Sequence, residues 1–364
     1  MPTTDPRWSP PQQLTPLDRL FLPLLKDERD LIFVRVSALI SAVLFPIVTV
    51  VFLLEPFQVA LVAVPYIGFT FLMFGGRYGL MLHATGHRPI FKREYRWMQH
   101  YIPFVLGPLL GHTPTSFEAH HMMMHHVENN MLGDQSTTLP YRRDHFPHFL
   151  HYWFRFFALS YLHIGRYLWL RGKLKTFARL MGGELVWLAM VTVAWQLNWA
   201  ATTLVFIVPM LMMRWLMMAG NWAQHAFIDF QDPDSGWHNS TCLTNTRYNH
   251  KCYNDGYHIV HHLKPALHWS EMAQWYDDRH DEFRERDALV FDGIADNQMI
   301  WFLLMFKRYD KLANHVVNLR ERSHEELVEM LKERVRTQQG PIPALLRWES
   351  REHMVANSRA NVAA

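Results

Sequence analysis

The histidines of this 364-residue chain gather in short clusters whose spacing can bring several imidazoles to one point. There are 23 histidines against 17 glycines, although glycine is ordinarily among the commonest residues. The first cluster is His83-Ala-Thr-Gly-His87, and its i, i+4 spacing places both rings on one face of a helix. A single pair of this kind is weak evidence for a metal site.

Three more clusters strengthen the indication. Residues 120–126 read His-His-Met-Met-Met-His-His, residues 221–225 read Asn-Trp-Ala-Gln-His, and residues 258–262 read His-Ile-Val-His-His. Protonated imidazoles held this close would repel one another, whereas a metal ion binds the neutral ring. The clusters therefore predict metal binding. All-imidazole coordination suits zinc, copper, iron or nickel, and nine or more histidines exceed a single zinc site and indicate two ions.

The second cluster is the ambiguous one. On a straight α-helix the rings of His121, His125 and His126 point in directions of about 0°, 40° and 140°. One helix cannot easily aim three such rings at one point, so they either serve two ions or require a bend. His121 and His125 share a face, while His126 and His120 compete for the remaining place.

The order and spacing of these clusters resemble the three histidine boxes of the membrane fatty acid desaturase and hydroxylase superfamily, over residues 33 to about 270. The Asn-Trp-Ala-Gln-His segment is similar to the Asn-xxx-His element of stearoyl-CoA desaturases, in which the asparagine holds an iron-bound water. The resemblance implies a water-mediated role for Asn221. It also implies nine iron ligands: His83, His87, His121, His125, His126, His225, His258, His261 and His262.

Further residues are expected near these ligands. The reserve candidates for a ligand position are His112, His120 and His268. Glu118, Glu128 and Asp255 are candidates for carboxylates that orient imidazoles, although ordinary interfacial acids would look the same in the sequence.

The resemblance implies an O₂-dependent, two-iron desaturase that introduces a double bond into the fatty acyl chain of a lipid or an acyl thioester. A hydroxylase of the same superfamily is the alternative. A metal-binding or transport protein without oxygenase activity is disfavoured, because the most apolar stretches contain no histidine. The two cysteines cannot bind an iron–sulfur cluster, so the resemblance implies a separate ferredoxin or cytochrome b5 as electron donor. A net charge of +3 does not indicate nucleic-acid binding.

Two long apolar stretches predict an all-α integral membrane protein. Residues 36–76 contain one charged residue, Glu55, and residues 185–224 contain one, Arg214. A helix rises 1.5 Å per residue and must cross about 30 Å of hydrocarbon, so each stretch is expected to cross twice, as a hairpin. The four predicted spans are 33–54, 57–78, 181–197 and 199–220.

Two other apolar segments do not fit this scheme. Residues 101–111 are too short to span, and residues 149–170 carry arginines among many aromatic residues. Residues 101–111 are predicted to be re-entrant or interfacial. Residues 149–170 are predicted to form a helix in the interface plane, because a spanning helix would place the later histidines on the wrong side of the membrane.

Lysine and arginine are absent from both hairpin tips and frequent elsewhere, which places both termini in the cytosol. The membrane is the inner membrane if the source is bacterial and the endoplasmic reticulum if it is eukaryotic. We expect an N-terminal cytosolic tail (1–30), a membrane domain (31–270) and a cytosolic helical cap and tail (271–364), with the cap region carrying the two-iron site.

Overall fold

The computed structural model describes residues 2–344. Residues 345–364 of the predicted C-terminal cap and tail lie outside the described residues. The first half contains α1–α7, which are Pro16–Phe21, Leu31–Phe52, Pro56–Thr70, Gly76–His87, Gly107–Leu109, His126–Glu128 and Phe146–Leu170. The second half contains α8–α17, which are Leu174–Leu197, Trp199–Thr202, Val208–Gln224, Arg247–Lys251, His258–Leu263, Met272–Asp278, His280–Glu285, Asn297–Met305, Tyr309–Ala313 and His324–Arg336.

Short π-helical and 3₁₀ segments complete the helical structure. The π-helical segments are Phe71–Gly75, Ile102–Leu106, Glu118–His125 and Thr203–Ile207. The 3₁₀ segments are Leu22–Leu24, Glu28–Asp30, Arg93–His100 and Trp269–Glu271. Two of the π-helical segments join α3 to α4 and α9 to α10 without interrupting the helix, which makes long continuous rods.

Four of these rods are long and apolar enough to cross a membrane: Glu28–Leu53, Pro56–His87, Leu174–Leu197 and Trp199–Gln224. The prediction of four helices that are long and apolar enough to span is therefore confirmed. Their outer faces are apolar and exposed, with Val64 83% and Leu72 90% accessible, as lipid-facing side chains would be.

Two of the helices extend furthest beyond the spans predicted within them. The second helix continues to His87, past the predicted span end at 78, and the third begins at Leu174, ahead of the predicted span start at 181. Arg77 lies near the end of the predicted second span, and Lys175 and Arg179 lie in the turns that precede the predicted third span. Such charged residues end a hydrophobic window without ending a helix. A hydropathy pattern marks the part that suits hydrocarbon, whereas the backbone stays helical beyond it.

The turn between the first two rods lies beside the turn between the last two. Asn198 caps α9 by accepting from the Ala201 amide, and its Nδ2 donates to the carbonyls of Leu54 at 2.9 Å and Phe52 at 3.3 Å. The rods that begin at these turns end near His87 and Gln224. At 1.5 Å per residue, His83 and His225 lie about 40 Å along their rods from the turns.

The two interfacial predictions fall on helical segments that are not among the four candidate spans. Residues 149–170 lie within α7, a single 25-residue helix that packs against α8 and α10. Residues 101–111 form the π-helical segment Ile102–Leu106 and the single turn α5.

The described residues are mostly helical, in agreement with the all-α prediction, and they also contain one pair of short strands that the sequence did not predict. Two parallel three-residue strands, β1 (Cys242–Thr244) and β2 (Val290–Asp292), pair Cys242 with Val290. Strands this short have no alternation that a sequence pattern could reveal. They join the segment that precedes α12 to the region that follows α14.

A buried arginine ties the C-terminal helix to the centre of the fold. Arg143 is 0% exposed, and its guanidinium donates to six backbone carbonyls. Two of them, those of Arg334 and Thr337, belong to the end of α17, and a third is that of Ala226, beside His225. Arg143 therefore links the end of α17 to the backbone beside His225.

Candidate metal centre

Nine histidines from four parts of the chain meet in two adjoining groups. The first group has five members, whose candidate ligand atoms all lie within 4.8 Å of one another: His83, His87, His121, His126 and His261. The second has four members under the same limit: His125, His225, His258 and His262. The groups touch, because the rings of His126 and His262 are 4.9 Å apart and those of His121 and His125 are 5.4 Å apart.

The Nε2 atoms converge within each group. In the five-histidine group, Nε2 of His261 lies 2.8 Å from Nε2 of His83 and 2.8 Å from Nε2 of His126. In the four-histidine group, Nε2 of His258 lies 3.2 Å from that of His225 and 3.1 Å from that of His262. Each box thus contributes rings that point inward from different helices.

A π-helical segment divides the second cluster between the two groups. Glu118–His125 is π-helical, and the amide of His126 donates to the carbonyl of His121, five residues back. Residues five apart therefore lie on one face, and Nε2 of His121 and of His126 are 3.0 Å apart. His125 then turns to the other group. The wider turn resolves the difficulty that an α-helix would present for these three rings.

Three oxygen acceptors hold imidazoles in place through hydrogen bonds with their Nδ1 atoms. Oδ1 of Asp255 lies 2.9 Å from Nδ1 of His83, and Oδ2 of Asp134 lies 2.6 Å from Nδ1 of His125. The carbonyl of Asn239 accepts from Nδ1 of His225 at 2.6 Å. Because these oxygens can only accept, each Nδ1 carries the hydrogen and each Nε2 keeps its lone pair.

Burial favours the neutral form of several of these imidazoles. Together with the neighbouring imidazoles, burial lowers the pKa of His225 to about 3. The same two causes lower the pKa of five further rings well below its ordinary value, those of His121, His126, His258, His261 and His262. Neutral imidazole is the form that binds a metal ion.

The donor set fits two metal ions. Nε2 of His87 and Nε2 of His125 are buried without a hydrogen-bond partner among the described residues, which is costly unless something coordinates them. Two nitrogens that bind one ion at about 2.1 Å and at right angles are about 3 Å apart, close to the separations within each group. The two groups are therefore compatible with a two-iron site.

The sequence model of the family described as fatty acid desaturase matches residues 56–293, which is more than half of the chain and contains all nine histidines. The chain belongs to the fatty acid desaturase family. The resemblance seen in the histidine boxes is confirmed. No curated protein and no solved structure gave a match. Membership in this family, which is known for two-iron sites, suggests an oxidoreductase that acts on fatty acyl chains in a membrane.

The reserve candidates lie outside both groups of this family member. His120 bonds through Nε2 to Ser136 at 2.9 Å, and His268 bonds to Asp30 and Ser270. His112 is buried beside Tyr78 and belongs to neither group.

Two of the three carboxylates that were predicted to orient imidazoles also lie outside both histidine groups. Glu118 pairs with Arg179 at 2.9 Å, and Glu128 accepts from Tyr167 and Arg171. Each therefore serves a nearby arginine, a closer and stronger partner than an imidazole of either group. Asp255 alone of the predicted three contacts a clustered histidine, and it also accepts from Gln224 and Tyr248.

Asn221 lies at the start of the turn that leads to His225. Its Nδ2 donates to the carbonyl of Ser136 at 3.1 Å and to the hydroxyl of Tyr152 at 2.8 Å. Both amide hydrogens are thereby used, so the amide oxygen is the atom of this side chain that can accept from a water.

Sequence reasoning missed the segment that supports the four-histidine group. Asp134, Ser136 and Thr138 are buried, and Thr138 donates to the carbonyl of His225 at 2.7 Å. Residues 134–138 read Asp-Gln-Ser-Thr-Thr, which in a sequence resembles an exposed loop. The one signal in the sequence for a role near the site was that these residues follow the second box by only two to three helical turns.

Proposed function

We propose that this protein is an O₂-dependent desaturase that introduces a double bond into a fatty acyl chain, with iron bound by both histidine groups. The observation that carries the proposal is the convergence of nine imidazoles in adjoining groups of five and four, in a chain of the desaturase family. The nine histidines would be the iron ligands, and Asn221 would hold a water beside the four-histidine group.

The chemistry that two bound irons supply is the reductive activation of O₂ for removal of hydrogen from acyl methylene groups. The chain itself fixes the ligands. Asp255 and Asp134 hold His83 and His125 in the tautomer that presents Nε2, and the Asn239 carbonyl does the same for His225. Burial of His125 and His225, which are 1% and 0% exposed, keeps bulk water away from the four-histidine side.

Hydroxylation of an acyl chain is the second candidate, because it shares the first hydrogen abstraction. The Asn221 to His225 element and the compact third box favour desaturation, since they match the desaturase pattern. The substrate would be an acyl lipid or an acyl thioester. Each turnover needs two electrons from outside the chain, and a separate ferredoxin or cytochrome b5 would supply them.

The proposed topology is two hairpins with both termini in the cytosol, in the inner membrane of a bacterium or the endoplasmic reticulum of a eukaryote. The two turns lie together and carry no lysine or arginine. His83 and His225 lie about 40 Å along their rods, beyond the roughly 30 Å of hydrocarbon, so the metal centre would sit in the cytosol. Residues 1–30 would be a tail, residues 31–270 the membrane domain and residues 271–364 a cap. Helix α7 and residues 101–111 would lie at the interface.

The test is product analysis with metal analysis. The protein is expressed in a host that has its own electron donors, and the fatty acid profile is compared with that of His258→Ala and of His250→Ala, which changes an exposed histidine outside both groups. We expect new unsaturated acyl chains and about two irons per chain for the protein and for His250→Ala, and neither for His258→Ala. One zinc with no iron in an iron-replete, active preparation would overturn the proposal.

A further inference from the structure

Residues 3–7 lie against the part of the chain that leads into the third histidine box. Thr3 donates to the carboxylate of Asp277, in α13, from its amide and from its hydroxyl, at 3.1 Å each. Arg7 pairs with the same carboxylate. These bonds join positions that are 270 and 274 residues apart in the chain, so the segment is docked on the fold. We call residues 3–7 the N-terminal strap.

Asp5 is the buried centre of the N-terminal strap. It is 4% exposed, and its Oδ2 accepts from the Asn245 amide at 2.7 Å and from the Tyr257 hydroxyl at 2.6 Å. Its Oδ1 accepts from the Thr246 amide at 3.2 Å. All three donors come from the chain between β1 and α12. Because buried donors are costly to leave unpaired, one carboxylate holds this part of the chain in a single conformation.

The N-terminal strap contacts the chain on both sides of Asp255. Nδ2 of Asn254, the preceding residue, donates to the Pro6 carbonyl at 2.8 Å. Tyr257, two residues further on, donates to Asp5. Asp255 itself orients an imidazole of the five-histidine group, because its Oδ1 lies 2.9 Å from Nδ1 of His83. The backbone that carries this carboxylate is therefore fixed by the strap at two points.

Tyr257 also begins the helix that carries the third box. It is completely buried, and its carbonyl accepts from the His261 amide at 2.9 Å. Helix α12 has only six residues, and a helix of that length depends on tertiary contacts for its stability. It supplies His261 to the five-histidine group and His258 and His262 to the four-histidine group. The bond between the Tyr257 hydroxyl and Asp5 thus connects the strap to ligands of both groups.

We infer that the N-terminal strap holds the third histidine box in the geometry that binds metal, and that Asp5 is the positioning residue through which it acts. The inference rests on the metal centre of the proposed function, and it gives a role to a segment that the sequence marks only as part of a tail. The strap acts on the histidines through Asn254 and Tyr257. When it is released, α12 and Asp255 lose support together, and both groups bind metal less tightly.

The experiment uses the full-length, metal-loaded protein in detergent and has two readouts. The first is the rate at which a chelator removes the bound metal. The second is hydrogen–deuterium exchange of the amides of residues 254–263, with residues 31–52 as the internal reference, before and after chelation. Neither readout requires turnover, so the inference can be judged even where the proposed function fails.

Two variants break the connection at different atoms. Asp5→Asn keeps the size of the side chain but turns an amide NH₂ toward a donor. Tyr257→Phe keeps Asp5 with its two backbone bonds and removes only the link to α12. Asp18→Asn is the matched control, because Asp18 is another fully buried carboxylate near the N-terminus and it pairs with Arg35.

Metal release should be faster when the connection is broken. Loss of a group that orients a ligand directly costs about 10–100-fold, and Asp5 acts one residue further away, so we expect release about three- to tenfold faster in Asp5→Asn. Tyr257→Phe should give most of this increase and the double variant little more, because both changes break one link. Exchange should rise in residues 254–263 and stay unchanged in residues 31–52. Asp18→Asn should lower the melting temperature without changing metal release or exchange in residues 254–263.

Metal release and local exchange like those of the unchanged protein, in both Asp5→Asn and Tyr257→Phe, would overturn the inference whatever the melting temperatures. Equal increases in Asp5→Asn and Asp18→Asn would also overturn it, since the effect would then be a general loss of stability. If Asp5→Asn does not fold, Tyr257→Phe decides between these outcomes. Faster exchange in residues 254–263 of the two strap variants, in a protein that binds no iron or forms no unsaturated product, would support the strap and count against the proposed function.

Discussion

Oδ2 of Asp134 lies 2.6 Å from Nδ1 of His125, and both side chains are almost completely buried. Burial alone would raise the pKa of Asp134, but its close contact and hydrogen bond with His125 hold that pKa well below its ordinary value. Ser136 donates to the other carboxylate oxygen from both its amide and its hydroxyl, at 2.8 Å each. An ionised carboxylate, fixed on two sides, thus sets the orientation of one candidate ligand.

Asp134→Asn should weaken metal binding at the four-histidine group. The amide retains the size of the side chain but loses the charge that stabilises the Nδ1 hydrogen of His125, and losses of this kind typically cost about 10–100-fold in metal affinity or activity. Iron per chain and product yield at matched expression are the measurements. Glu118→Gln is the control, because Glu118 pairs with Arg179 away from both groups. Full iron occupancy and activity in Asp134→Asn would contradict this role.

Alanine substitutions in the second box test which of its four histidines bind metal. His121→Ala, His125→Ala and His126→Ala should each abolish product and lower the iron content, because each ring belongs to one of the two groups. His120→Ala should keep measurable activity, since its Nε2 bonds to Ser136 and contributes to neither group. An inactive, iron-poor His120→Ala beside an active His126→Ala would show that the box is shifted.

Removal of metal should destabilise the protein. Ligand binding to the folded state adds RT ln(1 + [L]/Kd), about 4 kcal/mol at a thousandfold excess over Kd, and the nine rings come from segments that are far apart in sequence. We expect chelation to lower the melting temperature in detergent, and iron to restore it. Glu118→Gln should show the same drop, because its metal groups are unchanged. A melting temperature that is insensitive to chelation would argue against a bound metal.

The membrane orientation can be read by cysteine labelling. Phe57 and Leu197 lie beside the two turns and are 74% and 77% exposed, whereas both native cysteines are buried. Phe57→Cys and Leu197→Cys should both react with an impermeant thiol reagent added outside intact cells. A cysteine at the exposed position of His250 should react only after the membrane is opened. If Leu197→Cys labels only from the cytosolic side, the two-hairpin topology is wrong.

Loss of the buried guanidinium should unfold the region behind the histidines. Arg143→Ala leaves six carbonyls without their donor, and each unmet buried group costs about 1–3 kcal/mol, so a loss of several kcal/mol is expected. The free energy of unfolding of the detergent-solubilised protein is the measurement. The neighbouring Arg142→Ala loses a pair with Asp144 in which the arginine is 37% exposed, and it should cost far less. Equal losses would show that Arg143 is not a central support.

Much of the fold was accessible from the sequence because it depends on local composition. An apolar stretch of 20 residues identifies a spanning helix wherever it occurs, and both turns fell where Glu55-Pro56 and Asn198 predicted them. The sequence did not predict the helix ends at His87 and Leu174, because an exposed charged turn is equally compatible with a helix that continues and with one that has ended. The strands β1 and β2 were missed because three residues carry no pattern.

By itself, the sequence determined the type of site: histidines at i, i+3 and i, i+4 spacing on helices must present their rings together, and nine of them exceed one ion. Only the tertiary structure decided how they divide. The π-helical turn at Glu118–His125 sends His121 and His126 to one group and His125 to the other. The tertiary structure also brings Asp134, and not Glu118 or Glu128, into contact with an imidazole of the site. The assembly of each group also depends on contacts between distant parts of the chain, such as that between His126 and His261, and spacing along the sequence carries no information about such contacts.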